Sequence, residues 1–347
     1  MVEFRKIIKK EEQALALARE HARAEDAESA FTSRAATGKL SSPDRSAQDL
    51  YLEGLALSAA VFEWAATGYP NDFPLQQPLA SLTRDVCNWL DSDQAWKLLC
   101  LCRASSEPLY LPAHSMNACL MSAYLARYMG LTPDQTLALA VAAFLHDIGM
   151  ARVEPVWDCG QKLAPDKFAP ILRHPLESLK LIDCIGCCED PGVALAAVEH
   201  HERIDGSGYP NHKRGGEVAT ASHILSVVDV FLAMTHKRLY REAVKPFEAV
   251  RVISQLAGRQ LQTEAVRTFL QAMSIYPIGS GVRLNNGLVG RVIAANEKQL
   301  TKPVVQIVGA AGEFCETNQV IDLQKEKLLF VREAVCLGPL DPVFNIG

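Results

Sequence analysis

Apolar positions along the chain fall into helical runs separated by polar breaks, and the pattern changes only near the end. Residues 50–66 carry apolar side chains at helical spacing, and Pro70-Asn-Asp-Phe-Pro ends that run. Residues 116–129 and 134–145 repeat the pattern, with Gly130 suited to closing the first of them. Residues 193–202 and 221–236 look similar, and 250–273 predicts one or two further helices. Ahead of all these, residues 11–30 are rich in the helix formers Ala, Glu and Arg. From Gly281 the period becomes two. Gly281-Val-Arg-Leu-Asn-Asn-Gly-Leu-Val-Gly-Arg-Val-Ile-Ala-Ala alternates around an Asn286-Gly287 hairpin signal, and Pro303-Val-Val-Gln-Ile-Val predicts another strand. The expected fold is mainly α. A helical accessory domain over 1–100 precedes a helical domain over 101–276 and a small β-rich module over 277–347.

Composition narrows the class. The chain has 347 residues, 49% of them apolar and 22% charged, which excludes a disordered chain, a collagen or a coiled-coil rod. A formal net charge of −5 argues against a DNA binder that works by bulk charge. Residues 137–145 form the longest apolar stretch of note, far short of the roughly 20 residues a membrane helix needs. The charged start, Met1-Val-Glu-Phe-Arg-Lys, has no apolar signal core, so a cytoplasmic, membrane-free protein is expected. The ten cysteines then read as thiols rather than disulfides. Cys184-Ile-Gly-Cys-Cys188 lacks the second pair of a structural zinc site and reads as a loop between helices with partly buried thiols.

Candidate chemistry gathers where predicted helices end. His146-Asp147 follows one apolar run and His200-His201 another, while His114, His174 and Asp229 lie in or near helices. Any one of these, taken singly, reads more simply as a hydrogen-bonded core residue. Two adjacent histidines face about 100° apart on a helix, so they share a site only at its end. Taken together, five histidines and two aspartates suit iron, manganese, zinc or nickel better than magnesium or calcium. Seven ligands exceed what one tetrahedral ion takes, so two divalent ions with a shared carboxylate are expected.

Leu145-His-Asp-Ile-Gly resembles the signature of the HD metal-dependent phosphohydrolases, and His200-His-Glu-Arg-Ile-Asp-Gly-Ser-Gly-Tyr-Pro210 resembles the second signature of their HD-GYP subfamily. His174-Pro, Asp229-Val-Phe-Leu-Ala-Met and Arg238-Leu-Tyr-Arg241 continue the likeness, which spans about residues 110–275. The resemblance implies a helical HD bundle and a phosphodiesterase of cyclic di-GMP that yields the linear dinucleotide, GMP or both. It implies that His114, His146, Asp147 and Asp229 hold one ion. Asp147 would bridge to a second, completed by His174, His200 and His201. Iron or manganese come first, zinc and nickel second. Such a pair, about 3.5–4 Å apart, can hold a bridging hydroxide in line with phosphorus. Arg238 and Arg241 match phosphate-contacting positions, as the planar guanidinium suits. The loop of Asp205, Gly206, Gly208, Tyr209 and Pro210 can pass close to the ions or a ligand. Tyr209 there can stack on a base, meet a partner such as a diguanylate-cyclase-type protein, or simply shape a turn. Outside the resemblance, the helices over residues 1–100 read as an accessory or dimerisation domain, which leaves a homodimer open.

Departures matter as much. Met150 stands where the family has a phosphate-contacting lysine, and loss of one such donor can cost on the order of 10²–10³ in rate. Lys162 is the one nearby candidate to replace that charge, and Leu232 and Leu239 replace an Asp and a Pro. Tyr110 stands where some relatives place a glutamate for a third ion, and Glu107 lies beyond Pro108, so two ions are expected rather than three. The competing reading is therefore a weak or inactive module that binds cyclic di-GMP or a partner. A third reading is activity on another nucleotide or cyclic dinucleotide.

Overall fold

The computed structural model describes residues 46–68, 73–102, 110–153, 165–186, 191–236, 243–310, 313–314 and 319–337. Among the described residues ten helices precede six strands. The helices are α1 Ala47–Ala66, α2 Gln76–Leu90, α3 Ala95–Leu101, α4 Tyr110–Tyr128, α5 Pro133–Leu145, α6 Pro165–Ile185, α7 Pro191–Glu199, α8 Thr220–Thr235, α9 Pro246–Leu256 and α10 Thr263–Met273. A 3₁₀ segment, Ile148–Arg152, follows α5. The predicted 11–30 helix lies outside the described residues.

Helix starts follow local chemistry. Ser46 accepts from the Asp49 amide while the Asp49 carboxylate accepts from the Ser46 amide, which satisfies donors that the first turn leaves without partners. Thr132 and Gln135 do the same for α5, with Pro133 at its first position. Gly130 takes φ +72° after α4, a conformation a Cβ would disfavour. Cys184 lies in the last turn of α6 with its side chain exposed. It is not in a connecting loop, because the helix runs on to Ile185.

All ten helices contribute to one continuous apolar core that includes Tyr51, Leu98, Met116, Leu120, Phe144 and Phe269. Helices α1 to α3 therefore share their interior with the helices that follow. At Gly54, α1 comes so close to α4 that a Cβ would overlap the Met116 side chain. Met150 is 8% exposed and packs with Phe62 of α1 and with Val153.

The strands are β1 Gly281–Leu284, β2 Leu288–Ala294, β3 Val304–Ala310, β4 Glu313–Phe314, β5 Val320–Asp322 and β6 Val331–Val335. They form an antiparallel sheet in the order β4-β3-β2-β1-β6, with β5 also on β3. Gly287 turns β1 into β2 at φ +90°, where the Asn-Gly pair predicts it. The sheet has its own small core of Val282, Leu284, Val292, Val305, Ile307 and Leu323.

Candidate metal centre

Two helix ends and three helix interiors deliver the seven candidate ligands. Helix α5 stops at Leu145, so His146 and Asp147 leave it pointing inward. Helix α7 stops at Glu199, and the turn that follows brings the rings of His200 and His201 to 4.0 Å between centroids. His114, His174 and Asp229 project from α4, α6 and α8.

The donor atoms form two groups, each within 4.8 Å: His114, His146 and Asp229, and then Asp147, His174, His200 and His201. Asp147 stands between them. Its Oδ1 lies 3.1 Å from His174 Nε2 and 3.7 Å from His200 Nε2, while its Oδ2 lies 3.5 Å from His146 Nε2 and 3.7 Å from His114 Nε2. Asp229 leans both ways as well, with Oδ1 3.2 Å from His114 Nε2 and Oδ2 3.6 Å from His201 Nδ1. Tyr110 stacks on the His114 ring at 5.7 Å.

Backbone carbonyls fix the direction of three imidazoles. His146 Nδ1 lies 2.7 Å from Ala143 O, His174 Nδ1 2.6 Å from Ile171 O, and His200 Nδ1 2.7 Å from Ala197 O. Ala143 and Ala197 are among the last carbonyls of their helices, which have no i+4 amide to bond. Ile171 is in mid-helix, but the residue four places on is Pro175, which has no N–H. A carbonyl only accepts, so each Nδ1 carries the proton. Each neutral ring then turns an Nε2 lone pair into the site.

That arrangement fits a cation. The Nε2 atoms of His174 and His200 face each other at 3.4 Å, and His146 Nε2 is buried with no hydrogen-bond partner. Lone pairs converging in a buried space with two carboxylates need a positive charge among them. Burial pushes His146 down, His200 well down and His201 down to about 3. For His174 burial also works downward, but the bond to Asp147 outweighs it and holds the ring above its ordinary value. Burial would raise both aspartates, yet their imidazole neighbours hold both carboxylates below the usual range. The group is thus built from acceptor nitrogens and ionised oxygens, the donor set of a transition-metal site.

The predicted loop sits at one side. Tyr209 lies over His201 with ring centroids 4.6 Å apart. Its amide donates to His201 O at 3.2 Å. Gly208 touches the His201 and Arg203 backbone so closely that a Cβ would overlap it. Gly206, at φ +79°, lies under the Arg214 side chain, and Asp205 pairs with Arg214 in an isolated bridge. Arg238, Arg241, Lys162 and Glu107 lie outside the described residues. Met150 is buried in an apolar cluster with Phe62 and Val153.

Sequence reasoning missed the supporting residues. Buried Glu199 accepts from Lys213 Nζ, Ala219 N and Ser222 Oγ, and buried Glu202 accepts from the Asn211 and Lys213 amides. Tyr51 Oη donates to Asn117 Oδ1 at 2.9 Å, so α1 reaches the helix that carries His114. Ser178 and Arg203 also donate to carbonyls of the ligand turns, and Arg203 donates to Ser226 as well. Their one sequence signal is spacing: Ser222, Ser226 and Asp229 lie on one face of α8.

Comparison with known proteins matches residues 104–264 to the HD domain and residues 281–337 to a KOW domain associated with HD domains. The chain is 31% identical over 229 residues to a cyclic di-GMP phosphodiesterase of Pseudomonas aeruginosa, covering 65% of this chain and 55% of that protein. It is 30% identical over 141 residues to a 3'3'-cGAMP-specific phosphodiesterase of Vibrio cholerae, covering 40% of this chain and 32% of that one. The matches thus span about half, or less, of these relatives' length. A solved HDG"Y"P protein from Bdellovibrio bacteriovorus shares the fold, with a TM-score of 0.54 and 18% identity over 66% of this chain and 73% of that one. Among the described residues, no helix is long and apolar enough to cross a membrane.

Proposed function

Because residues 104–264 belong to the HD-domain family, we propose that the chain is a metal-dependent phosphodiesterase that hydrolyses cyclic di-GMP to the linear dinucleotide, GMP or both. The observation that carries this reading is Asp147. Its two oxygens face two separate histidine sets, as a carboxylate shared by two ions must. His114, His146, Asp147 and Asp229 would hold one divalent ion, and Asp147, His174, His200 and His201 the other. Iron or manganese are the first choices. Bound there, such ions supply Lewis-acid polarisation of the phosphodiester and an acidified water.

The chain's own part is to present those ligands ready-made. Carbonyl bonds at Nδ1 keep His146, His174 and His200 in the tautomer that ligates. Burial keeps His200 and His201 neutral, and the surrounding imidazoles keep both carboxylates ionised. The bond to Asp147 raises His174 against its burial, so of these rings it is the one whose ligation competes most with protonation.

The test is incubation of the metal-loaded full chain with cyclic di-GMP and, in parallel, with 3'3'-cGAMP. Linear dinucleotide from cyclic di-GMP is expected. Cleavage of 3'3'-cGAMP alone would move the assignment to that substrate, and no product from either would overturn it. One observation favours a second reading, a slow binding module: Met150 is packed into an apolar cluster and offers no donor. Saturable binding of cyclic di-GMP without turnover would establish that reading.

A further inference from the structure

Two hydrogen-bonded clamps cross between the ligand groups. In the first, Ser178 Oγ donates to His146 O at 2.6 Å and accepts from Gly149 N at 2.9 Å. Ser178 is one turn beyond His174 on α6, so the bond ties the turn that carries His146 of the first ligand group to the helix that carries His174 of the second. Gly149 permits the approach, since a Cβ there would overlap the backbone at His174 and Ser178. In the second, Arg203 Nη1 donates to His200 O at 3.1 Å, to Glu202 O at 2.9 Å and to Ser226 Oγ at 2.6 Å. Ser226 is one turn before Asp229 on α8. This bond ties the turn that carries His200 of the second ligand group to the helix that carries Asp229 of the first.

We infer that Ser178 and Arg203, the latter acting through Ser226, are positioning residues that fix the spacing between the two ligand groups. Neither touches the ligating atoms. Each grips the main-chain carbonyl of a ligand histidine, His146 or His200, and fastens it to a helix that serves the other group. The pair therefore acts as two parallel braces across one gap. The Ser178 brace is buried, where water replaces such bonds poorly, and the Arg203 brace is half-buried with its Ser226 end in the interior. Residues that orient metal ligands in this way commonly change metal affinity by about 10–100-fold when removed.

The inference rests on the two-ion reading, and the test separates the two. Manganese(II) is titrated into the metal-free full chain and into Ser178→Ala, Arg203→Gln and Ser226→Ala, with binding followed by calorimetry and by electron paramagnetic resonance. In the native chain two ions with a magnetically coupled spectrum are expected. Each variant should bind the second ion about tenfold or more weaker and lose the coupled spectrum in favour of an isolated-ion one, with unchanged helical circular dichroism. Ser226→Thr, which restores the hydroxyl acceptor, should recover the coupled spectrum. Native affinity and coupling in all three variants would overturn the inference. If the native chain binds a single ion, the two-ion reading falls, and unchanged affinity for that ion in the variants overturns the clamps as well. Should Arg203→Gln fail to fold, Ser178→Ala and Ser226→Ala decide between these outcomes.

Discussion

The two ligand groups differ in depth. His114, His146 and Asp229 are 1%, 0% and 6% exposed, sealed by α4, α5 and α8. In the other group, the Asp147 and His201 side chains are 13% and 18% exposed and lie beside the Tyr209 loop. His174 and His200 are as buried as the first group, at 2% and 0%, so the second group is the outer one only through Asp147 and His201, and the first is the inner one. The contrast is therefore between single ligands: His146 is sealed and bonded to a helix carbonyl, whereas the Asp147 and His201 side chains reach solvent.

The largest effect should come from the residue both groups share. Asp147→Ala is expected to abolish activity and to lower metal content at both positions, as read by elemental analysis of the purified variant. Retention of two ions would erase the distinction between a bridge and an ordinary ligand.

Next come single removals on either side. His146→Ala should lose the inner ion and also destabilise the metal-free chain by about 1–3 kcal/mol, because Ala143 O loses its buried partner. His201→Ala should lose activity and the outer ion while leaving metal-free stability nearly unchanged. Denaturant unfolding alongside metal analysis measures both, and equal destabilisation would mean that depth does not divide the burden.

Acid should act on both groups in one direction, with one exception. An unfolded histidine titrates near 6.5, roughly, but burial keeps His146, His200 and His201 from protonating until lower pH, about 3 for His201. Below pH ~6.5 the unfolded chain binds protons that the folded chain refuses, so metal-free stability should fall from there downward. The two aspartates add to the loss only below their unfolded value of about 3.9. His174 has the opposite sign, since its raised value contributes stability that fades as pH rises. Unfolding of the metal-stripped chain between pH 7 and 4 is the measurement. A flat profile would show that the imidazoles are not sealed from water.

Smaller changes test the approach to the centre from α1. Met150→Lys places an ammonium among Phe62 and Val153, so it should destabilise by roughly 1–3 kcal/mol and bring no gain in rate. A large rate gain would mean the side chain swings out to the ligands. Tyr51→Phe removes one bond to Asn117 and should cost about 1 kcal/mol in thermal unfolding, with little effect on metal binding.

Much of the centre is legible in the sequence because its ligands sit where helical periodicity stops. His146 and His200 are conspicuous as polar residues that end apolar runs, and the strand period after Gly281 is equally plain. The braces are not legible. Ser178 and Ser226 are small polar residues in helices, indistinguishable by composition from solvated ones, and their partners are 32 and 23 residues away. Met150 reads as a missing donor in sequence; only its packing against Phe62 shows that the position belongs to the interior.

Pro175 carries one more consequence. By lacking an amide it leaves a gap in the α6 ladder, and the His174 ring fills that gap through Ile171 O. Mending the ladder with alanine would give the helix a rung and the imidazole a rival. A more robust helix and a better-aimed ligand are then alternatives at this position, and the chain has settled for the weaker helix.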